Sequence, residues 1–354
     1  MRFIGNKEKL LDAIFFELDS RNIKGNSFFD FFSGTSNVGK FFKKKGCKVY
    51  SSDLMFFSYV LQKAYIENNI EVCFDNLLPS LEVTNTSSFS KPLDLVVSYL
   101  NNIEPLEGFI YQNYAPTGSK SLDMPRMYFS DENARKIDAI RTTIENWKIE
   151  NLLSDNEYYI LIACLIETVP FYANISGVYA AFHKKWDPRA VKKLQLRSIE
   201  LLLSNKEHKC FNCDSSKLIS QVDVDILYLD PPYNHRQYAP NYHLLETIAK
   251  YDAPKIMGVS GMREYSEQKS KFCNKLLAIQ ELDKIAAGAK YKYLVLSYNC
   301  EGVMTQEDIE CVLNEYGNVE LIEFNYRRYK SNNNGLSKTK QYVKEQLYTL
   351  ERKQ

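Results

Sequence analysis

Residues 225–234, Asp-Ile-Leu-Tyr-Leu-Asp-Pro-Pro-Tyr-Asn, constrain the fold more than any other stretch of the chain. An apolar run with a strand-like composition, 226–229, ends abruptly in an acid and two prolines, so the chain must leave a buried strand at Pro231. Asp230 is therefore predicted at the carboxyl end of a strand. In an open α/β sheet, ligands bind in the crevice beyond these carboxyl ends.

The chemistry of this turn suits a ligand that donates hydrogen bonds. Pro231 and Pro232 lack an amide hydrogen, so the turn offers carbonyl acceptors beside the carboxylate of Asp230. Asp230 and the Pro231 carbonyl can each accept one hydrogen of an exocyclic amino group, while Tyr233 stacks on the ring that carries it. The pattern indicates a planar amino heterocycle. Taken alone, these residues are also typical of a strand that ends in a proline turn without any function.

A second motif, near the amino terminus, predicts a cofactor-binding turn. Residues 27–39, Ser-Phe-Phe-Asp-Phe-Phe-Ser-Gly-Thr-Ser-Asn-Val-Gly, run from an apolar strand through a Gly/Ser-rich turn into a helix. Gly34 and Gly39 allow a ligand close to the backbone, and a helix amino terminus favours negative charge. The turn lacks the middle glycine of the dinucleotide fingerprint, so a pyrophosphate is disfavoured. The next strand ends at Asp53, which can accept both ribose hydroxyls or, alternatively, cap the following helix.

Further acids and strands complete this pattern. Residues 208–214 read as a third strand that ends at Asp214, so acids at three strand ends, Asp53, Asp214 and Asp230, predict one crevice. The apolar strand 293–297 follows, and a helix capped by Thr305 comes after it. Two closing antiparallel strands are expected over 319–326 and 346–350.

The middle of the chain departs from the alternation of strands and helices. Residues 99–130 are rich in Asn, Tyr, Pro and Gly and show little periodicity, which indicates an insertion. Further along the chain, residues 170–186 interleave aromatic with small polar residues and lead into a basic run. Such a stretch can wedge and stack bases while its lysines neutralise phosphates. An aromatic hairpin core with a solvated basic helix, 189–203, behind it is the alternative.

The cysteines and the amino-terminal residues indicate the compartment. Eight cysteines are scattered, and charged residues among 7–12 occupy the place of the apolar core of a signal peptide. Cys210 and Cys213 form a C-x-x-C pair without a second pair at zinc spacing, so no metal site is expected. No run approaches the ~20 apolar residues of a membrane span. We therefore expect a cytoplasmic protein with reduced thiols, no metal and no membrane contact.

Together these motifs resemble the Dam-like, α-ordered class of DNA adenine-N6 methyltransferases found in type II restriction-modification systems. The matching pieces stand in the family's order and cover about half of the chain: RFIGNKEKLL, DFFSGTSNVG, YSSD and DPPYN. The resemblance implies an S-adenosylmethionine-dependent α/β methyltransferase fold, a mixed seven-stranded sheet with helices on both faces. It also implies an inserted, mainly helical target-recognition domain.

The resemblance assigns roles residue by residue. Phe3 and Lys7 match cofactor-binding positions, Asp30 and Gly34 stand in the Gly-rich loop motif, and Asp53 matches the acid that holds the ribose. Ser36 departs from the family pattern, which has another glycine at this position.

The resemblance also supports a hypothesis for the chemistry. Asp230 opens the family's catalytic motif and is also expected to contact the cofactor, and Pro231 and Tyr233 continue the motif. The expected reaction flips adenine out of duplex DNA, with Tyr233 stacked on it and with Asp230 and the Pro231 carbonyl bonded to its amino group. Asp214 is expected to orient the base or the cofactor.

The inferred domains and partners follow from the same resemblance. We expect a catalytic domain in two parts, 1–70, which binds the cofactor, and 205–354, with target recognition over 71–204. In the last region we expect phosphate contacts from Lys184, Lys185, Arg189, Lys192 and Lys193, and groove or wedge contacts from Asn174, Ser176 and Tyr179. A monomer, with a possible cognate restriction endonuclease, is expected. The alternatives are an RNA or protein amide methyltransferase and a catalytically silent DNA-binding specificity subunit.

Overall fold

The computed structural model describes residues 4–81, 91–327 and 342–353. Within these ranges the chain forms two compact units. One, the α/β unit, contains the described residues of Ile4–Glu67, Ser204–Ala239 and Ser266–Gln354. The other, the helical unit, contains the described residues of Asn68–Leu203 together with Pro240–Tyr265. The segment 240–265, which the sequence analysis placed in the second part of a catalytic domain, therefore clusters with the helical unit.

The described strands are β1 (Ser27–Asp30), β2 (Lys48–Asp53), β3 (Lys209–Asn212), β4 (Asp223–Leu229), β5 (Ile256–Met257), β6 (Met262–Arg263), β7 (Lys290–Asn299), β8 (Gly317–Arg327) and β9 (Tyr342–Arg352). Seven of them form the sheet of the α/β unit, in the order β3-β2-β1-β4-β7-β9-β8. The first five strands of this order pair in parallel, whereas β9 pairs antiparallel with both β7 and β8. The predicted mixed seven-stranded sheet is confirmed, including its antiparallel closing strands.

The described helices are α1 (Leu11–Ser20), α2 (Asn37–Lys44), α3 (Phe56–Gln62), α4 (Pro92–Asn102), α5 (Phe109–Tyr114), α6 (Asp131–Ile149), α7 (Asp155–Thr168), α8 (Tyr238–Lys250), α9 (Lys275–Gly288) and α10 (Gln306–Leu313). A π-helical turn, Lys63–Glu67, continues α3. Short 3₁₀ helices cover Leu78–Ser80, Val169–Phe171, Ser215–Gln221, Ser266–Gln268 and Lys271–Cys273. The predicted cap of α10 is confirmed as a capping box between Thr305 and Asp308.

The central strand β1 carries helices on both faces of the sheet. Phe28 and Phe29 are consecutive and both buried, as in a parallel strand covered on two sides. Because neighbouring side chains of a strand point to opposite faces, the two rings belong to different layers. Phe28 stacks on Phe42 of α2, with ring centroids 3.8 Å apart. Phe29 joins the apolar cluster that includes Leu282 of α9.

The strand order places a switch point beside β1. From β1 the chain builds β2 and β3 on one side of the sheet and then returns to add β4 on the other side. At such a point the loops that leave neighbouring strands diverge and open a crevice at the carboxyl ends. Asp30, at the end of β1, and Asp230, directly after β4, border this crevice.

The predicted helix 189–203 is wrong. Residues 193–203 are irregular, and side-chain amides hold the backbone in place of helical bonds. Asn133 donates to the carbonyls of Ala190 and Lys192 and accepts from the amide of Leu194. Leu194 and Leu196 are buried, while the residues between and after them are exposed. This alternation has the period of an extended chain rather than of a helix.

No helix within the described ranges is long and apolar enough for a membrane span.

Candidate active site

Two contacts hold the turn after β4 that begins with Asp230, one from the loop before α10 and one from β7. Pro231 is buried, and Asp230 keeps 15% of its side chain exposed. The amide of Val303, in the loop that precedes α10, donates to the Tyr233 carbonyl at 2.8 Å. The Tyr233 ring meets the buried ring of Tyr298 edge to face, with centroids 6.4 Å apart. The turn thus presents a fixed carboxylate and a half-exposed aromatic ring side by side.

Lys7 links this turn to the antiparallel edge of the sheet. Its ammonium lies 3.2 Å from Asp230 Oδ1 and 3.1 Å from Glu345 Oε2, and the lysine side chain is only 3% exposed. Asn299 Nδ2 donates to the other Glu345 oxygen at 2.8 Å. Four residues from three strand ends and the amino-terminal loop therefore form one buried polar chain, which we name the Lys7 cluster: Lys7, Asp230, Glu345 and Asn299.

The Lys7 cluster follows from the register of the sheet. β9 runs antiparallel to β7, so its first residues lie at the edge where the parallel strands end, and Glu345 pairs with Asn299. The sequence analysis named Lys7 and Asp230 but missed Glu345. The signal that could have found Glu345 is its position two residues before the buried Leu347, because side chains two residues apart on a strand point to the same face. A buried acid on the core face of a strand requires a partner.

Charge and burial shift the pKa values within the cluster. Burial raises the pKa of Asp230 to about 6, and the Glu345 carboxylate contributes to this rise. The nearby Lys7 ammonium acts in the opposite direction and lowers the pKa of Asp230. Burial lowers the pKa of Lys7, but the carboxylates of Asp230 and Glu345 outweigh this and hold it above its ordinary value. Lys7 is therefore a permanent cation, whereas Asp230 titrates within reach of neutral pH.

Asp30 is more deeply buried than Asp230 and Glu345. It is fully buried at the end of β1, and its Oδ2 accepts from the Gly39 amide at 3.1 Å. Its Oδ1 has no hydrogen-bond partner among the described residues. Burial raises the pKa of Asp30 to about 7, and the neighbouring charge of Asp230 adds to the effect. A buried acceptor without a partner indicates a place for a donor or a cation from a ligand.

Asp53 organises the Gly-rich loop. Its Oδ2 accepts from the Gly34 amide and its Oδ1 from the Met55 amide, each at 2.8 Å. Asp53 acts only in part as the cap of the following helix, because the amide that it binds belongs to Met55, the residue that precedes α3. Ser36, where the family pattern has glycine, adopts a left-handed backbone with φ of 61°. The loop thus keeps the backbone shape that glycine favours, at some strain.

The remaining expected cofactor residues differ in what they contact. Asp214 follows β3 and caps the 3₁₀ helix Ser215–Gln221, since its Oδ1 accepts from the Ser216 amide at 3.0 Å. Phe3 lies outside the described residues.

The basic segment of the helical unit has a different character. The side chains expected to neutralise phosphates are all exposed: Lys184, Lys185, Arg189, Lys192 and Lys193. Arg189 is paired with Asp187, with a shortest distance of 2.5 Å. An open surface depression of about 530 Å³ is lined by residues 183–188, which include Trp186. Cations around a concave surface with an aromatic ring are suited to nucleic acid.

The three residues expected in a groove or wedge do not share one environment. Ser176 is exposed, but Asn174 is 0% and Tyr179 1% exposed. Asn174 Nδ2 donates to the carbonyls of Met127 and His183, and its Oδ1 accepts from the Asp187 amide at 2.9 Å. Asn174 and Tyr179 are therefore not available for the expected groove or wedge contacts, because both side chains are buried inside the segment.

In the part of the chain that the structure describes, no three His, Cys, Asp or Glu side chains come together in a group that could hold a metal ion.

A sheet of this order, with acids at the ends of its parallel strands and an acid-Pro-Pro-Tyr turn at the fourth, defines an α/β methyltransferase fold. The chain belongs to the family of D12 class N6 adenine-specific DNA methyltransferases, whose pattern it matches over residues 3–310.

Three relatives illustrate the similarity. The type II methyltransferase M.FokI of Planomicrobium okeanokoites is 43% identical over 339 residues, which is 94% of this chain and 50% of that protein. The modification methylase StsI of Streptococcus sanguinis is 37% identical over 360 residues, 100% of this chain and 52% of that protein. The type II methyltransferase M.NlaIII of Neisseria lactamica is 38% identical over 336 residues, 94% of this chain and 93% of that protein. The chain thus spans about half the length of the first two relatives.

Proposed function

We propose that this chain is a site-specific DNA methyltransferase that transfers a methyl group from S-adenosylmethionine to the N6 amino group of adenine. The observation that carries the proposal is the Asp230–Tyr233 turn at the carboxyl end of β4, beside Asp30 and Asp53 at the ends of β1 and β2. Membership of the D12 class supports it. So do the names of the relatives, which are type II methyltransferases or modification methylases.

The residues present fit this cofactor. When bound, S-adenosylmethionine supplies an electrophilic methyl group, and it brings positive charge on its ammonium and sulfonium. In the described part of the site, the carboxylates of Asp230 and Glu345 lie against Lys7, and the buried Asp30, whose neighbours include Asp230, has an Oδ1 that lacks a donor. Asp30 would face the positive charge of the cofactor. A site with this excess of acid favours a cationic ligand.

The loop around Gly34 would hold the rest of the cofactor. Gly34 has no side chain to keep a ligand from the backbone. Asp53 accepts backbone bonds from Gly34 and Met55, and a carboxylate can accept several hydrogen bonds, so Asp53 would bind the ribose hydroxyls while it fixes the loop. Asp214 would line the same crevice from β3. Phe3 and Lys7 retain the roles that the family resemblance gives them.

The turn after β4 would hold the target base. Tyr233 would stack on a flipped adenine, and Asp230 with the Pro231 carbonyl would accept the two hydrogens of its amino group. The lone pair of this amine is conjugated into the ring, so the nitrogen is a poor nucleophile. Acceptors placed for the tetrahedral geometry free the lone pair and favour the transition state over the ground state.

The helical unit would recognise the target. Residues 71–204 would form the target-recognition region, with the five exposed cations of 184–193 on DNA phosphates and Ser176 at the groove. Asn174 and Tyr179 would shape this surface from beneath. Phosphate contacts fix orientation and supply affinity that depends on salt, without reading sequence.

The biological setting is part of the same proposal. The chain would act as a cytoplasmic monomer and protect host DNA from a cognate restriction endonuclease of the same specificity. Relatives named type II methyltransferases support this setting.

The test is transfer of labelled methyl from S-adenosylmethionine to unmethylated bacterial DNA, to RNA and to total protein, followed by nucleoside analysis. The expected product is N6-methyladenine in DNA, absent with Asp230→Ala. Removal of one preorganised acceptor costs ~10²–10³ in turnover, so residual activity should fall at least about a hundredfold.

The other outcomes overturn the proposal in distinct ways. Label in RNA or protein would keep the cofactor and replace the substrate. No label in any acceptor, with the cofactor still bound, would indicate a DNA-binding subunit without catalysis. Turnover near the wild-type level in Asp230→Ala would remove Asp230 from the mechanism.

A further inference from the structure

Glu345 lies outside every motif that carries the family resemblance, yet it is built into the site. It stands near the start of β9, is buried, and shares Lys7 with Asp230. Lys7 is thus held between two carboxylates, at 3.2 Å from one and 3.1 Å from the other. An ammonium donates three hydrogen bonds, so it can satisfy both.

Asn299 fixes the far side of Glu345. Its Nδ2 donates to Oε1 at 2.8 Å, while Oε2 receives the Lys7 ammonium. Both oxygens of Glu345 are therefore occupied, and its orientation is determined by the pairing of β7 with β9. The position of Lys7 is determined in turn. A buried lysine with only Asp230 as a partner would move fully onto that carboxylate and engage the oxygen that the substrate amine needs.

We propose that Glu345, fixed by Asn299, is a positioning residue that shares Lys7 with Asp230 and so keeps the Asp230 carboxylate available to accept the amino group of the target base. This inference rests on the proposed function, because it assigns Asp230 to the amine. Glu345 itself touches neither base nor cofactor in this account.

The groups around Asp230 define what a titration should report. Lys7 comes from the amino-terminal loop, Glu345 from β9, Tyr228 from β4 and Asp30 from β1. Lys7 lowers the pKa of Asp230, whereas burial and Glu345 raise it. Loss of the Glu345 charge must therefore move the acid limb of turnover, set by ionisation of Asp230, to lower pH.

The test compares Glu345→Gln with Glu345→Asp in the full chain, by the pH profile of kcat for methyl transfer to DNA. We expect Glu345→Gln to lower kcat on the order of 10- to 100-fold, as misplacement of a reacting group does, with KM for DNA unchanged. Its acid limb should lie at lower pH than that of the wild type. Glu345→Asp, which retains the charge, should keep the acid limb near its original pH.

Glu323→Gln is the matched control. Glu323 lies on the neighbouring strand β8 and pairs with Lys344 at 2.6 Å in an exposed ion pair. This variant should leave both kcat and the pH profile unchanged. If Glu345→Gln does not fold, as thermal melting would show, Asn299→Ala tests the same link through the other carboxylate oxygen, with the same fall in kcat at unchanged KM.

An acid limb that stays in place in Glu345→Gln, or one that moves equally in Glu345→Asp, would overturn the positioning role. The same holds for full kcat in both Glu345→Gln and Asn299→Ala. These failures are distinct from failure of the proposed function, which would appear as label in RNA or protein, as no label in any acceptor, or as full activity in Asp230→Ala.

Discussion

The Lys7 cluster and the basic segment 184–193 use the same kind of charge in opposite ways. Lys7 is buried between two carboxylates, whereas Lys184 and Lys185 are exposed to solvent. A buried cation must be paired, so its position is fixed by the charged groups around it. An exposed cation adds little to the stability of the fold and remains available to a ligand. Burial therefore separates charges that build a site from charges that attract a partner.

Lys7→Met gives the largest effect that this contrast predicts. Removal of the ammonium leaves Asp230 and Glu345 buried without their cation, and broken buried pairs cost about 3–5 kcal/mol. The free energy of unfolding, from urea denaturation at pH 8, should fall by this amount. Lys184→Met is the control and should change stability by less than about 0.5 kcal/mol. Equal losses in the two variants would break the contrast.

Asp30→Asn should stabilise the protein at alkaline pH. The native pKa of Asp30, about 7, lies above the ordinary value of 3.8, so the folded protein takes up a proton that the unfolded chain does not. Stability from this group is present at low pH and is lost as the pH rises through about 7. Asn removes the buried charge and should add on the order of 2–4 kcal/mol at pH 8.

The control for Asp30→Asn is the same measurement at pH 5, where the gain should be much smaller. Cofactor affinity should fall in the variant, because a neutral amide does not compensate the positive charge of S-adenosylmethionine. An Asp30→Asn variant that is less stable than the wild type at pH 8 would show that the ionised Asp30 carboxylate does not destabilise the folded protein.

Asn174→Ala should destabilise the helical unit, although Asn174 was first assigned to DNA. Its amide joins the segment at Met127, His183 and Asp187 from a fully buried position. Loss of these bonds leaves backbone groups without partners and should cost about 1–3 kcal/mol. Ser176→Ala, two residues along and exposed, should stay within about 0.5 kcal/mol of the wild type. A stable Asn174→Ala protein would contradict the structural role.

The smallest expected effect is on the salt dependence of DNA binding. In Lys184→Ala with Lys185→Ala, the slope of log K against log salt should become less steep by about 1.8, since each lost phosphate contact removes about 0.9. Sequence preference should not change, because phosphate contacts do not read bases. The control is Lys290→Ala with Lys292→Ala. These two exposed lysines lie near the start of β7, at the opposite end of the strand from the carboxyl end that borders the site. Equal changes in the two pairs would remove the basic segment from the interface.

Sequence reasoning reached the parts of the site that local rules control. A strand that stops at an acid and two prolines fixes where Asp230 lies, and alternation of strands with helices fixes which ends meet. Asp53 and Asp230 are located in this way, whereas Asp30 enters through the motif that carries the family resemblance. Glu345 was missed because its place depends on the pairing of β9 with β7, which joins residues far apart in the chain.

The helical unit was harder to interpret for a related reason. The interleaved pattern of 170–186 predicts polar residues at the surface, but the interior of this unit uses Asn133 and Asn174 to bond irregular backbone. The basic residues of 189–203 indicate a helix, whereas the buried Leu194 and Leu196 alternate with exposed neighbours as in an extended chain. A side-chain amide replaces regular secondary structure only when the folded chain brings it to the right carbonyls, and the local pattern does not encode this.

The division of roles between Asp230 and the basic segment is tested by the single-turnover rate of methyl transfer at saturating DNA and cofactor, measured side by side for Asp230→Asn and for the Lys184→Ala, Lys185→Ala pair. We expect Asp230→Asn to slow the transfer at least about a hundredfold while DNA stays bound, since one preorganised acceptor is lost. The lysine pair should transfer at the wild-type rate once saturation is reached. A wild-type rate in Asp230→Asn, or a slow rate in the saturated lysine variant, would contradict the assignment of chemistry to the sheet edge and of DNA attraction to the basic segment.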